Sequence, residues 1–181
     1  SSNLLIVNPR DIAGLIAQMA KYPFSVLTGV NTLFNALQKH PKFARLDFSR
    51  VKITLGGGAA IQKSVADRWQ QSTGRPLLEA YGLTETSPAV CINPVSLKAH
   101  NGSIGLPLPS TEVAIRDELN RDLPCGERGE LCVRGPQVTP GYYGQPEETA
   151  HVMTPDGFLR TGDIATIDER GFVYIVDRRK D

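Results

Sequence analysis

Tyr81-Gly82-Leu83-Thr84-Glu85-Thr86, read as YGLTET, follows the apolar run Pro76-Leu77-Leu78-Glu79-Ala80, which reads as a β-strand. An aromatic, a turn glycine, a hydroxyl and a carboxylate are therefore expected together just past a strand's carboxyl end, where open α/β sheets bind ligands. A nucleotide with a hard cation needs such groups. Taken alone, a Thr-Glu pair there equally fits an ordinary strand-to-loop corner. The surrounding sequence has to decide.

Upstream, Val51 to Leu55 reads as another strand and runs into Gly56-Gly57-Gly58-Ala59-Ala60, after which Ile61, Val65 and Trp69 recur every four residues as one face of a helix. Gly74 stands where a helix C-cap glycine belongs. Earlier still, Leu4 to Val7 reads as a strand, Asp11 as a helix N-cap, and Ile12, Leu15, Ile16 and Met19 as the apolar face that follows. Phe24 to Thr28 makes a strand ending at Gly29, and a helix capped by Asn31 or Thr32 carries Leu33, Phe34 and Leu37 until Pro41 stops it. The order βαβαβαβ implies a parallel sheet with helices on its faces. Two of its strands then end in Gly56 to Ala60 and in Tyr81 to Thr86, so both loops should face one crevice. The glycines would let backbone approach a flat or phosphorylated ligand. Without a GxGxxG or GxxxxGK[ST] pattern, the triple glycine alone is equally a tight turn.

Past Asn101 helical periodicity fades and prolines punctuate the chain, with short alternating strands at Glu112 to Arg116 and Glu130 to Arg134. A short helix is expected from Pro146 through Val152, then a turn at Pro155-Asp156-Gly157, a strand at Phe158 to Arg160, and a hairpin of Ala165 to Asp168 with Phe172 to Val176. The fold class is thus α/β: a parallel βαβ sheet portion over residues 1–98, a small β-barrel-like all-β subdomain over 99–176, and a further segment at 177–181.

Composition narrows the function. Apolar residues at 40% and charged residues at 22% exclude disordered and fibrous classes, and a formal net charge of +1 gives no global field for nucleic acid. Cys91, Cys125 and Cys132 are odd in number and lack CxxC spacing, so a disulfide framework or zinc knuckle is not expected and a reducing cytosol fits best. No apolar run reaches the ~20 residues of a membrane span, and no secretory leader is recognisable. His40, His100 and His151 are scattered and suggest no metal site. Both ends read as cut from a longer protein, so exposed sheet edge and apolar surface are expected to favour a homo-oligomer or a swapped dimer of this piece.

Thr161-Gly162-Asp163 is expected on a tight turn, where a carboxylate can accept from both hydroxyls of a ribose, although such turns are more often structural. Asp177-Arg178-Arg179-Lys180-Asp181 by itself reads as a solvated, mixed-charge linker.

In this order, Gly56 to Ala60, YGLTET, Gly129-Glu130-Leu131-Cys132-Val133-Arg134-Gly135-Pro136, Thr161-Gly162-Asp163 and Asp177 to Asp181 closely resemble the adenylate-forming enzymes. That superfamily holds acyl-CoA synthetases, adenylation domains of peptide synthetases, and luciferases. The resemblance spans residues 1 to 181 and, within the superfamily, is nearest to bacterial long-chain fatty acid CoA ligases, with aryl or medium-chain CoA ligases as the alternative; by itself the piece could instead be an inactive structural module.

The resemblance implies roles position by position. Tyr81 matches the aromatic that stacks on adenine, with Gly57, Gly58 and Ala59 on the other side and Gly82 at the turn. Thr84 matches the hydroxyl on the α-phosphate, and Glu85 the carboxylate that holds Mg2+. Asp163 and Arg178 match ribose ligands. Asp177 and Lys180 match the hinge to a small carboxyl-terminal domain, and Phe34 matches an aromatic gating a fatty acyl tunnel, although it is equally a core aromatic. Asn31 departs from the family's frequent proline. The implied reaction joins a fatty acid to AMP from ATP and then to coenzyme A, without a protein nucleophile. The family's phosphate loop and adenylation lysine would lie before residue 1 and after residue 181, in a cytoplasmic enzyme that could touch the inner membrane face peripherally.

Overall fold

The computed structural model describes residue 8 and residues 10–178, the side chain of Arg178 excepted. The expected strand at Leu4 to Val7, and Lys180 with its hinge role, lie outside the described residues. The chain forms two compact units: residues 1–78 with 95–100, and residues 79–94 with 101–181.

The first unit begins at α1 (Ile12–Lys21), whose N-cap Asp11 accepts from the backbone N–H of Gly14. Its buried face is Leu15, Ile16 and Met19, three of the four positions expected from their spacing. Strand β1 (Val26–Gly29) pairs in parallel with β2 (Ile53–Gly56), in register from Val26 opposite Ile53 to Gly29 opposite Gly56. This is the parallel pairing that the βαβ pattern requires.

Between those strands runs α2 (Asn31–Lys39). Its cap position is Val30, which makes no side-chain capping bond, so neither Asn31 nor Thr32 is the cap. The Asn31 carboxamide is engaged elsewhere: its Oδ1 accepts from the backbone of Gln62 at 3.0 Å, just before α3 (Lys63–Thr73). Ile61 accordingly packs from the approach to α3, not from the helix itself. Gly74 caps α3 in the left-handed region at φ 69°, the conformation glycine adopts without penalty.

The core of this unit is aromatic. Trp69 of α3 is fully buried against Phe34 of α2, edge to face with ring centroids 4.9 Å apart, and against Phe43 at 5.4 Å. A buried indole N–H needs an acceptor. Trp69 Nε1 finds one in Thr54 Oγ1 at 3.1 Å, and Thr54 in turn donates to the Pro76 carbonyl at 2.8 Å.

The second unit is built from antiparallel strands. β3 (Leu78–Gly82), which begins at the unit boundary, pairs with β4 (Ala89–Ile92), and β4 with β5 (Leu106–Pro107). Then β6 (Glu112–Arg116), β7 (Gly129–Arg134), β8 (Leu159–Ile167) and β9 (Val173–Arg178) form a four-stranded sheet in chain order, with α4 (Pro146–Val152) between β7 and β8. Leu131, Val133, Ala165 and Val173 fill its core together with Val90 and Cys91.

Three expectations are corrected here. Tyr81 and Gly82 lie within β3 and not beyond its end, and β3 has an antiparallel neighbour, β4, that the sequence pattern did not reveal. Phe158 to Arg160 and Ala165 to Asp168 are not separate strands. All but the flanking Phe158 and Asp168 belong to the single strand β8, so Thr161-Gly162-Asp163 is strand and not a tight turn.

Candidate functional site

The corner after β3 is held by its own motif. A Cβ on Gly82 would stand 1.6 Å from the carbonyl oxygen of Pro88, so the chain folds back on itself at a spacing only glycine permits. Thr84–Thr86 forms one turn of 3₁₀ helix, and the buried Thr86 hydroxyl accepts from the Leu83 N–H at 2.9 Å and donates to the Pro88 carbonyl at 2.7 Å. The second threonine of YGLTET is therefore structural. It leaves Thr84 exposed and Glu85 half-buried, both on a fixed backbone.

Glu85 is fastened from a second loop. Its carbonyl accepts from the Thr139 N–H at 2.7 Å, and its carboxylate Oε1 accepts from the Tyr142 hydroxyl at 2.8 Å. That bond raises the Tyr142 phenol above its ordinary pKa, because the neighbouring anion favours the protonated form. A cavity of about 470 Å³ opens beside them, lined by Leu83, Glu85, Tyr142, His151, Arg160 and Gly162 among others.

Tyr81 projects from β3 and donates its hydroxyl to Asp163 Oδ2 at 2.6 Å. Burial first, and then this bond to a carboxylate, push the Tyr81 phenol upward, so it stays a neutral donor at any physiological pH. Asp163 is itself buried in β8, opposite Arg178 of β9. A register shift follows immediately, between Ile164 and Ala165, and another lies in β7 between Glu130 and Cys132. Such bulges re-aim side chains next to functional sites. Gly162 sits at φ 74°, its N–H donating to Glu130 Oε1 at 3.1 Å, while Glu130 pairs with Arg160 at 3.3 Å.

The structure thus brings together, in the second unit, the ring and carboxylate expected around a nucleoside and the Thr84-Glu85 corner expected at its phosphates. Gly57, Gly58 and Ala59 leave β2 in the first unit, where Gly57 N–H donates to the Gly29 carbonyl at 3.0 Å and Gly58 takes φ 76°. Phe34 is wholly buried in the core of that unit. Asp177 stands opposite Ile164 in the ladder, in strand and not in a linker.

Sequence reasoning missed Thr139 and Tyr142. The available signal was Gly141-Tyr142-Tyr143-Gly144, two aromatics between glycines that follow Pro140 and lack any strand or helix period.

No cation cage is present: among the described residues no group of three or more His, Cys, Asp or Glu is arranged to hold a metal. A lone carboxylate such as Glu85 still fits magnesium, which commonly takes one or two carboxylates plus phosphate and water oxygens. Burial pushes the thiols of Cys91 and Cys132 up to about 12 and about 11, so neither supplies a thiolate nucleophile at neutral pH.

The sequence profile of the AMP-binding enzymes matches residues 3–143. The chain belongs to the AMP-binding enzyme family. This family segment is 55% identical over 179 residues to the long-chain-fatty-acid–CoA ligase of Yersinia pestis, covering 99% of this chain and 32% of that protein. The ligase of Salmonella typhimurium is likewise 55% identical, with the same coverage. The chain therefore spans about a third of the length of these curated relatives, at 32% of each. Among solved structures it superposes on ATP-bound MatB from Rhodopseudomonas palustris with a TM-score of 0.85 at 35% identity, covering 94% of this chain and 34% of that one. The α/β architecture is that of the adenylate-forming enzymes.

Proposed function

We propose that this AMP-binding segment is part of a long-chain fatty acid CoA ligase, which activates a fatty acid as acyl-AMP with release of pyrophosphate and then transfers the acyl group to coenzyme A. The single observation that carries the nucleotide half is the Tyr81 to Asp163 contact of 2.6 Å. It unites a flat ring with a buried carboxylate, and a second carboxylate, Glu85, stands on the corner after the same strand. The fatty acid half is supported by the 55% identity to curated long-chain ligases.

In this reading the face of Tyr81 stacks on adenine, with Gly82 admitting the close turn, and Gly57, Gly58 and Ala59 are proposed as further nucleotide-binding residues. Stacking suits a purine because water competes poorly for it. Asp163 and Arg178 receive the ribose hydroxyls. Thr84 donates to the α-phosphate, and Glu85 would hold Mg2+, whose charge offsets the charge that develops on phosphate during displacement. The fatty acid carboxylate attacks the α-phosphorus, pyrophosphate departs, and the thiol of coenzyme A displaces AMP. Positioning and electrostatics supply the catalysis, as phosphoryl chemistry requires.

Phe34 gates the acyl tunnel. The two compact units stand for two subdomains of the larger enzyme, and the hinge to a carboxyl-terminal domain begins at the end of β9, at Asp177, and continues through Lys180. The enzyme works in the cytoplasm, meeting its substrates at the inner membrane face. The three free cysteines suit a reducing compartment, and among the described residues no helix is long and apolar enough to cross a membrane.

The test is a full-length ligase carrying this segment, assayed for pyrophosphate release with ATP, magnesium and palmitate. We expect release that depends on the fatty acid, with a strongly raised KM for ATP in Asp163→Ala. Release indifferent to the fatty acid, or an unchanged KM for ATP, overturns the reading.

A further inference from the structure

The loop from Gly135 to Gly144 holds Glu85 of the YGLTET corner twice. Thr139 grips the Glu85 backbone at 2.7 Å, and Tyr142 grips its carboxylate at 2.8 Å. Neither contact is incidental to that loop. The Thr139 hydroxyl donates to the Gly141 carbonyl at 3.1 Å, which closes the turn between the two gripping residues. The Tyr142 backbone N–H is in turn tied to Thr149 Oγ1 of α4 at 2.9 Å. Gly141 takes φ 146° with its absent Cβ directed at the Thr149 side chain, so the loop sits close against α4.

The tyrosine's exposure is informative. Tyr142 is 37% exposed and turns its hydroxyl to Glu85, whereas its neighbour Tyr143 is 102% exposed. A loop that merely needed an aromatic for packing would bury the ring. This one spends the ring on reaching a carboxylate at the edge of the 470 Å³ cavity.

We propose that Tyr142 is a positioning residue for Glu85: its hydroxyl holds Oε1, fixes the carboxylate rotamer, and leaves Oε2 to face the cation. This rests on the reading of Glu85 as the magnesium carboxylate. The chemistry is direct. A glutamate side chain on a solvent-facing corner has three free torsions, and a single charge-assisted bond removes most of that freedom before the substrate arrives. The phenol suits the task better than lysine or arginine would. It donates one proton without adding positive charge beside a site meant for a cation. The carboxylate therefore keeps its net negative charge while losing its mobility.

The experiment uses a full-length ligase carrying this segment, with Tyr142→Phe, Glu85→Gln, their double variant, and Tyr143→Phe as the control. Magnesium is titrated at saturating ATP and palmitate, and melting temperatures are recorded alongside. For Tyr142→Phe we expect at least about a tenfold rise in the magnesium concentration giving half-maximal turnover, the lower end of what one hydrogen bond to a charged acceptor supplies. The melting temperature of this variant should change little, and Tyr143→Phe should leave the titration unmoved. In the Glu85→Gln background Tyr142→Phe should add nothing. If Glu85→Gln shifts the titration but Tyr142→Phe does not, or if the two effects add independently, the positioning role is overturned while the Glu85 reading survives. If Glu85→Gln itself leaves the titration unchanged, the Glu85 reading falls and takes the positioning role with it.

Discussion

The Tyr81 hydroxyl reaches Asp163 Oδ2 across 2.6 Å, joining residues 82 positions apart in sequence. β3 ends one residue past Tyr81 and β8 bulges just after Asp163, so two separate motifs of the chain become one surface inside the second unit.

Removing the donor tests what that bond contributes. Tyr81→Phe keeps the ring but strips a buried carboxylate of a partner, and a bond to a charged group is worth about 1.5 to 3 kcal/mol. We expect a loss of stability of that size for the chain in urea denaturation. In the full-length ligase ATP affinity should change less than with Tyr81→Ala, because stacking survives. Equal affinity losses in the two variants would show that the hydroxyl, and not the ring, serves the nucleotide.

Phe34 divides stability from specificity. Its ring lies edge to face on Trp69 at 4.9 Å and is wholly buried. Truncation to alanine should cost about 3 to 5 kcal/mol through the cavity it leaves. If it also gates the acyl tunnel, the full-length variant, assayed at a temperature where it stays folded, should change its fatty acid chain-length profile while its KM for ATP holds. A lowered melt with an unchanged profile assigns Phe34 to the core alone.

Much of this was legible in the sequence, and the errors share one cause. Helices declared themselves locally: Asp11 as a cap, Leu15, Ile16 and Met19 as a face, Gly74 as a terminator. The candidate aromatic, carboxylates and hydroxyl could be named from motif order, and the structure brings Tyr81 against Asp163. What could not be read was pairing. Nothing local to Ala89–Ile92 announces that it folds back on β3, because that hairpin depends on Gly82 admitting the Pro88 carbonyl. Nor does Thr161-Gly162-Asp163 look like strand: a glycine at φ 74° is turn chemistry by propensity, overridden here by pairing on both sides of it. Tyr142 was invisible for the same reason, since its meaning lies wholly in a residue 57 positions away.

The second unit also carries a charged anchor whose strength depends on pH. Arg116, its side chain only 6% exposed, holds Asp156 through paired bonds of 3.0 and 2.7 Å and Asp122 at 2.7 Å, and stacks on Phe158. The bond to Arg116, with help from the Thr154 hydroxyl, holds the Asp156 carboxyl well below its ordinary value of 3.8. A carboxyl depressed in the folded state stabilises the fold above its unfolded pKa and loses that contribution as pH falls through the folded value. Asp156→Asn should therefore lower the melting temperature at pH 7, and the gap from the parent chain should narrow progressively below pH 3.8. Melts from pH 7 down to pH 2.5 measure it; a gap independent of pH would mean that shape, not charge, is what Arg116 needs.

The reading of the YGLTET corner stands on a comparison of Glu85 with Thr84. Both ride the same 3₁₀ turn, pinned by Thr86, so substituting either should leave the backbone in place. They differ in what they offer. Glu85→Gln preserves shape and keeps an acceptor for Tyr142, but removes a full negative charge. If that charge clamps magnesium at the reacting phosphate, turnover in the full-length ligase should fall roughly 100-fold, about 3 kcal/mol, with partial recovery at raised magnesium. If Thr84 serves the α-phosphate, Thr84→Ala removes one neutral donor to a charged oxygen, so its cost should be smaller, on the order of 1.5 to 3 kcal/mol, and indifferent to magnesium. The ranking and the metal dependence have to appear together. A Glu85→Gln enzyme that turns over near normally at low magnesium would show that the carboxylate does not serve the metal, and the corner would then be what Gly82 and Thr86 already make it, a tightly closed end to a strand.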